Sequence, residues 1–168
     1  MNAELEGLYE MIDEIEVAMM TTRREDGHLE SRPMATQKRS TGADVWFVAG
    51  EDTAALANLE ADPHVNLAYY KDRTREWVSV SGLATLSRDR TKIRELHAPD
   101  WKLWFGEQGD PRSGTADDPR LVLIGVEIHD ASFLELSKPA PVAVYHIAKA
   151  LLTGAKAELG ETTHIESG

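Results

Sequence analysis

The sequence contains no cysteine among its 168 residues. Disulfide bonds, thiolate nucleophiles, zinc ribbons and cysteine-bound iron–sulfur clusters are therefore excluded together. A cytoplasmic protein needs no cysteine, so this absence constrains the cellular compartment only weakly.

Long apolar runs and basic charge are also scarce. No segment approaches the ~20 apolar residues of a membrane-spanning helix, and the acidic N-terminus lacks the basic region of a secretory signal. Eighteen Lys and Arg against 29 Asp and Glu give a net charge of −11, and such a surface repels phosphate backbones and anionic membranes. We therefore expect a cytoplasmic protein with no nucleic-acid or membrane partner.

The common short motifs of catalysis and metal binding are missing too. There is no phosphate-binding loop, no glycine-rich dinucleotide fingerprint and no nucleophile elbow. No two of the six histidines are three or four residues apart, so no helix carries a pair of metal ligands. The sequence predicts neither a catalytic residue nor a metal site.

What remains is typical of one globular domain, with 42% apolar and 28% charged residues. Apolar spacings of three and four predict a first helix over 5–15, and alternating or β-branched runs predict strands after it. The predicted strands cover 17–22, 29–38, 45–49, 65–70, 77–86 and 120–136. The further predicted helices cover 53–61, 89–97, 101–105 and 142–152. Hairpin-connected strands with inserted helices favour an α+β or mainly β fold, a small antiparallel barrel, over 1–152, with a tail over 153–168.

Local signals refine two of these strands. Asp26-Gly27 is a strong hairpin-turn signal. The predicted strand 29–38 contains Pro33, and because proline lacks a backbone donor, this strand must lie at a sheet edge or carry a bulge. The long last strand is expected to bend near Gly125 or His129.

Several short motifs in a fixed order then point to a family. They are Ser31-Arg32-Pro33-Met34, Val45-Trp46-Phe47-Val48, Asp62-Pro63-His64-Val65-Asn66-Leu67-Ala68-Tyr69, Val78-Ser79-Val80-Ser81-Gly82-Leu83-Ala84, Trp101-Lys102-Leu103-Trp104-Phe105, Asp118-Pro119-Arg120-Leu121-Val122-Leu123-Ile124 and Leu152-Thr153-Gly154. Read together, over about residues 5–155, the chain resembles the general stress protein 26 family of pyridoxamine-phosphate-oxidase-like, flavin-binding split barrels.

The resemblance implies a homodimer of six-stranded antiparallel split β-barrels with peripheral helices. Two flavin sites would lie at its interface, each holding FMN or, less often, FAD. The flavin ring would lie along the strand 32–37. The matching cofactor-binding positions are Arg32, Met34, Ala35, Val48, Ala49, Thr53, Trp77 and Trp104.

Each position has an implied role and a plainer alternative. Arg32 would bind the phosphate or ring edge, and Thr53 would begin a phosphate-binding helix turn; otherwise they are a surface arginine and a helix cap. Met34 and Ala35 would present backbone to the ring, with Val48 and Ala49 beside it; Met34 could equally be a core residue. Trp77 would pack near the ring and Trp104, with Phe105, would close the site from the other subunit; both tryptophans could instead pack in a core or interface.

The sequence also departs from the family pattern. The phosphate turn of the oxidases reads Ser-Arg-Lys, whereas Thr53-Ala54-Ala55 stands here. Gln37 replaces a lysine of the ring strand, and Glu51 and Asp52 add negative charge. We therefore do not expect pyridoxamine phosphate oxidation.

Three functional hypotheses remain. The first is a stress-linked redox flavoprotein whose flavin carries the electrons. The second is a non-enzymatic module of the same fold that has lost flavin affinity and holds another planar ligand, such as a deazaflavin or haem, or a protein partner. The third is an unrelated small-ligand β-barrel.

Overall fold

The computed structural model describes residues 3–106, 109–136, 151–153 and 160–166. The helices are α1 (Ala3–Ile15), α2 (Ala54–Ala61), α3 (Arg90–Leu96) and α4 (Trp101–Phe105). The strands are β1 (Val17–Arg23), β2 (Leu29–Ala35), β3 (Val45–Gly50), β4 (His64–Lys71), β5 (Glu76–Ser87), β6 (Leu121–Leu136) and β7 (Gly160–Glu166). No helix in these ranges is long and apolar enough to cross a bilayer.

All the strands belong to one antiparallel sheet in the order β2-β1-β4-β5-β6-β3, with β7 also paired to β6. The first half of β6 pairs with β3 and its second half with β7. β2 and β3 lie at the two ends of this order and do not pair with each other as strands, so the sheet does not close into a barrel. Pro33 lies in edge strand β2, as its missing donor requires. The six predicted strands and the split-barrel fold are confirmed.

The sheet has seven strands rather than six, because β7 lies where the sequence analysis predicts a tail over 153–168. Glu166 lies opposite Asp130 and Gly160 opposite Leu136. The half of β6 that β3 leaves unpaired supplies the hydrogen bonds that β7 needs. Most of the helix predicted over 142–152 lies outside the described residues; residues 151–153 are helical.

Two apolar clusters hold the fold together. The larger fills the concave side of the sheet beneath α1 and α2, and includes Leu8, Leu56 and Phe47. The smaller lies on the other side of β3 and of the first half of β6, under α3 and α4, and includes Trp46 and Trp101. β3 is therefore covered on both faces although it is a sheet edge.

A β-bulge bends the long strand β6 at one of the two predicted points. Ser81 pairs with Asp130 and Gly82 with Ile128, so His129 is the extra residue. A Cβ at Gly82 would lie 2.2 Å from the carbonyl oxygen of Glu127. Only glycine allows the two strands to approach this closely.

Candidate functional site

The gap between the edge strands β2 and β3 is the central feature of the site. Just beyond β2, the amide of Gln37 donates to the carbonyl of Trp46 at 2.8 Å, which joins the two edges at one end. Antiparallel continuation from this bond places Ala35 opposite Val48 and Pro33 opposite Gly50, where β2 and β3 no longer pair. The gap is thus closed at the Gln37 end and open towards Pro33.

Backbone groups of Ala35 and Val48 face this gap. The amide of Thr36 donates to Glu16, which lies on the β1 side of β2. Because successive residues of a strand direct their backbone groups to opposite edges, those of Ala35 point away from β1 and towards β3. The same alternation from Trp46 directs the backbone of Val48 towards β2. A polar ring edge in the gap would meet the amide of Ala35 and the backbone groups of Val48, while the carbonyl of Ala35 already accepts a bond from the Gln37 side chain.

Gln37 fixes one wall of the gap. Its amide nitrogen donates to the carbonyl of Ala35 at 2.9 Å, and its oxygen accepts from the Trp101 indole at 2.8 Å. Trp101 is buried and packs edge-to-face on His97. The residue that replaces the family lysine therefore ties the ring strand to α4.

The apolar candidates on these two strands offer backbone rather than free side chains. Met34 packs against the large core, and Ala49 lies inside it. Val48 packs against the smaller cluster on the opposite face of β3. Ala35 lies on the outer face of the sheet, partly exposed.

Arg32 lies one residue from Pro33 and is already bonded within the chain. Its guanidinium donates to the hydroxyl of Thr22 at 2.8 Å and to the carboxylate of Glu30 at 2.8 Å. The Asn58 amide of α2 donates to the same two oxygens, at 3.0 and 3.1 Å. Glu30 and Asn58 are not among the residues that sequence reasoning selected; the pairing signal is the i, i+2 spacing of Glu30 and Arg32 on one strand face.

At the start of α2, the Thr53 hydroxyl is already used in a hydrogen bond within the chain. The Thr53 hydroxyl donates to the carbonyl of Gly50 at 2.9 Å and makes no capping bond to the helix. Ala55, which matches the family lysine, is 3% exposed, so a lysine there would have to enter the core. Ala54 is exposed. The first-turn amides of α2 remain as donors without intrahelical partners.

Charges around this turn are mostly paired. The Arg88 guanidinium donates to both carboxylate oxygens of Glu51, which lowers the pKa of that carboxyl, and also contacts Glu60. Arg39, the next arginine along the chain after Arg32, donates to Asp13. Arg75 donates to the Tyr70 hydroxyl at 2.8 Å.

The two tryptophans differ in how the chain places them, and Trp77 is not brought to the gap by its own chain. Trp77 pairs with Tyr70 on the outer face, three strands from Ala35, or about 14 Å at the usual strand spacing. Trp104 of α4 is 73% exposed and its neighbour Leu103 is 83% exposed. One chain therefore assembles the backbone gap and Arg32 and leaves Trp77 apart from them, whereas α4 approaches the open end of the gap, where a Cβ at Gly50 would lie 3.6 Å from the Phe105 ring.

Two open grooves lie on the surface outside the gap. One, of about 420 Å³, is lined by Lys102, Gly106, Gly109, Asp110, Pro111 and Ser113. The other, of about 310 Å³, is lined by polar and apolar residues that include His64, Val65 and Thr22, and Thr22 is also a partner of Arg32. Neither is lined by a predicted flavin residue. Among the residues that the structure describes, no three His, Asp or Glu side chains are placed to hold a metal ion.

Comparison with known proteins gives the same family by sequence. Residues 3–158 match the family model described as pyridoxamine 5′-phosphate oxidase like. Protein bli-3 of Neurospora crassa is 33% identical over 151 residues, which cover 88% of this chain and 72% of that protein.

Solved structures match the fold. A general stress protein 26 structure from Jannaschia sp. CCS1 has a TM-score of 0.74 at 21% identity, over 99% of this chain and 100% of that one. A pyridoxamine 5′-phosphate oxidase-related, FMN-binding protein from Nostoc punctiforme has a TM-score of 0.62 at 12% identity, over 100% and 98%. At these identities the likeness concerns the fold alone.

Proposed function

The chain belongs to the pyridoxamine 5′-phosphate oxidase-like family, and from this premise we propose that it is a cytoplasmic flavin-binding protein with a redox role. The cofactor is FMN in preference to FAD, because the anion-binding groups present suit one phosphate. Flavin supplies the electron transfer when bound, and the protein supplies orientation and a polar environment for the ring.

The gap between β2 and β3 is the observation that carries this proposal. Backbone groups of Ala35 and Val48 face it from two edges, and Arg32 lies at its open end. A flat ring with polar edges needs such paired backbone donors and acceptors, and a phosphate needs the cation. These residues hold and orient the cofactor; none of them is placed as an acid or base.

The functional unit we propose is a homodimer with two sites at its interface. Trp77 lies about 14 Å from Ala35 within one chain and Trp104 is 73% exposed, so a second copy would bring Trp77 to the gap and cover Trp104. The outer face offers an apolar surface for it, since Val17, Met19 and Tyr70 are each about half exposed.

One variant tests the gap directly. Replacing Ala35→Pro removes the backbone amide that faces the gap while leaving the bonds to β1 intact, so we expect FMN affinity to fall at least about tenfold. Leu29→Pro is the matched control, because it removes an amide on the same free edge at the start of β2. Flavin absorbance retained through gel filtration is the measurement, with melting temperatures to verify folding. Equal FMN retention by both variants would contradict the ring position.

A second candidate function is favoured by the phosphate turn. Two cations of the family pattern are absent and Ala55 is buried; each lost charge-assisted hydrogen bond costs about 1.5–3 kcal/mol, or together roughly two to four decades of affinity. A module of this kind would hold another planar ligand, such as a deazaflavin or haem, or a protein partner. A protein that stays colourless with FMN and FAD but takes up haem would favour this second function over the first.

A further inference from the structure

The cluster at the open end of the gap has two donors directed at the same two oxygens. Arg32 and Asn58 both donate to the Oε2 atom of Glu30 and to the Oγ1 atom of Thr22, at 2.8–3.1 Å. A guanidinium and an amide that converge on one carboxylate oxygen form an anion-binding arrangement. In this chain the anion is the protein's own side chain.

The members of the cluster differ in how firmly they are held. Thr22 is 1% and Asn58 9% exposed, and the Arg32 side chain is 19% exposed. The Glu30 side chain is 42% exposed, so it reaches the cluster from the solvent side. The donors are fixed by the sheet and by α2, whereas Glu30 can leave by rotating about its side-chain bonds alone.

The position of the cluster connects it with the proposed cofactor site. Arg32 is next to Pro33 at the open end of the gap, and Asn58 lies in the second turn of α2, about 6 Å along the axis from the helix start. An anionic group attached to a ring in the gap would therefore approach Arg32 and Asn58, one helical turn from the start of α2.

We propose that Arg32 and Asn58 form the phosphate subsite of the bound cofactor and that Glu30 occupies this subsite when the cofactor is absent. Glu30 is then an internal competitor that sets the affinity for the phosphate. The inference rests on the proposed flavin function, and it adds two residues, Glu30 and Asn58, to that site. Binding breaks the Glu30–Arg32 ion pair and releases the carboxylate to solvent.

The test compares FMN with riboflavin, which has the same ring but no phosphate. Glu30→Gln removes one negative charge and keeps an oxygen for Arg32, so we expect FMN to bind roughly tenfold more tightly while riboflavin affinity stays within about twofold. Flavin fluorescence titrations give both dissociation constants. Glu25→Gln, an exposed glutamate in the preceding turn, is the matched control and should change neither. Glu30→Ala is expected to act in the same direction and covers the case in which the glutamine variant folds poorly.

The outcomes separate this inference from the flavin function itself. If Glu30→Gln tightens FMN and riboflavin equally, or weakens FMN, the competitor role is overturned while flavin binding stands. If neither flavin binds to any variant, inorganic phosphate against chloride in thermal melts decides the rest. A larger phosphate-induced rise in Tm for Glu30→Gln than for the native chain would support the anion subsite and overturn the flavin function. No difference would overturn both.

Discussion

Asp118 shows how a single buried carboxylate organises a polar loop. It is 1% exposed and accepts two side-chain bonds from Arg120, at 2.7 and 3.0 Å, and the amide of Gly114 at 2.8 Å. Arg120 in turn donates to the carbonyl of Phe105 in α4. The carboxylate thereby connects the loop before β6 to the helix that covers the smaller core.

Neutralising this carboxylate should cost stability in a pH-dependent way. The bonds from Arg120, and then those from backbone amides, lower the pKa of Asp118 to about 2, below the unfolded value of about 3.9. Its contribution is therefore complete above about pH 4 and is lost as the pH falls towards 2. We expect Asp118→Asn to lower the free energy of unfolding by about 2 kcal/mol at pH 7, and by much less near pH 2.

Urea denaturation at several pH values checks this expectation. Asp117→Asn is the matched control, since its exposed ion pair with Arg94 should contribute no more than about 0.5 kcal/mol. An Asp118→Asn loss that is the same at pH 7 and pH 2 would show that packing, not charge, is responsible.

The limits of sequence reasoning at this scale are visible around Arg32. Its place on an edge strand follows from Pro33 and the hairpin turn. Its partner Asn58 comes from a helix 26 residues later in the sequence, and no local pattern predicts that convergence. Comparison with the family motif predicts an exposed, phosphate-binding position at Ala55. Its burial depends on how α2 packs on the core, which the motif does not encode.

Among the elements, β7 depends most on its neighbour. Its segment holds one aliphatic residue, Ile165, which packs partly against the large core opposite Ala131. The other six residues are a glycine, two glutamates, two threonines and a histidine, so neither alternation nor hydrophobicity predicts a strand. The unpaired backbone groups of the second half of β6 hold β7 as a strand, although the residues of β7 do not predict one. By contrast, α1 and the strands β3 and β5 carry their own patterns, and the sequence analysis predicts them.

Shortening Ile165 should loosen this strand selectively. Ile165→Ala removes apolar contacts at a partly buried position, so we expect about 1–2 kcal/mol less stability, below the range for fully buried sites. Guanidinium denaturation measures the loss. Thr162→Ala, on an exposed position of the same strand, is the control and should change stability by less than about 0.5 kcal/mol. Equal losses in the two variants would mean that Ile165 does not anchor β7 to the core.

At the scale of the whole molecule, the outer face of the sheet is the surface on which we propose that two chains associate. Val17, Met19 and Tyr70 expose apolar surface side by side on adjacent strands. Clusters of exposed apolar side chains usually mark an interface. The proposed homodimer covers this face and brings Trp77 of one copy to the gap of the other.

A charge placed on this face should separate the dimer. Met19→Glu would bury an unpaired carboxylate in the interface, so we expect the dissociation constant of the dimer to rise at least about a hundredfold, with flavin lost in parallel. Sedimentation velocity over a concentration series measures it. Thr85→Glu, exposed on β5 but distant from this apolar surface, should leave the dimer intact. A native chain that sediments as a monomer at all concentrations would refute the dimer outright.

The gap between β2 and β3 affects how readily the protein aggregates at the concentrations of a crowded cell. Unpaired strand edges are templates on which other chains can add. A ligand bound in the gap would hydrogen-bond to the backbone of Ala35 and Val48. It would thereby prevent a strand of another chain from adding to these edges. On this view, a shortage of cofactor would reduce the amount of well-dispersed protein before it reduced the activity of each remaining molecule.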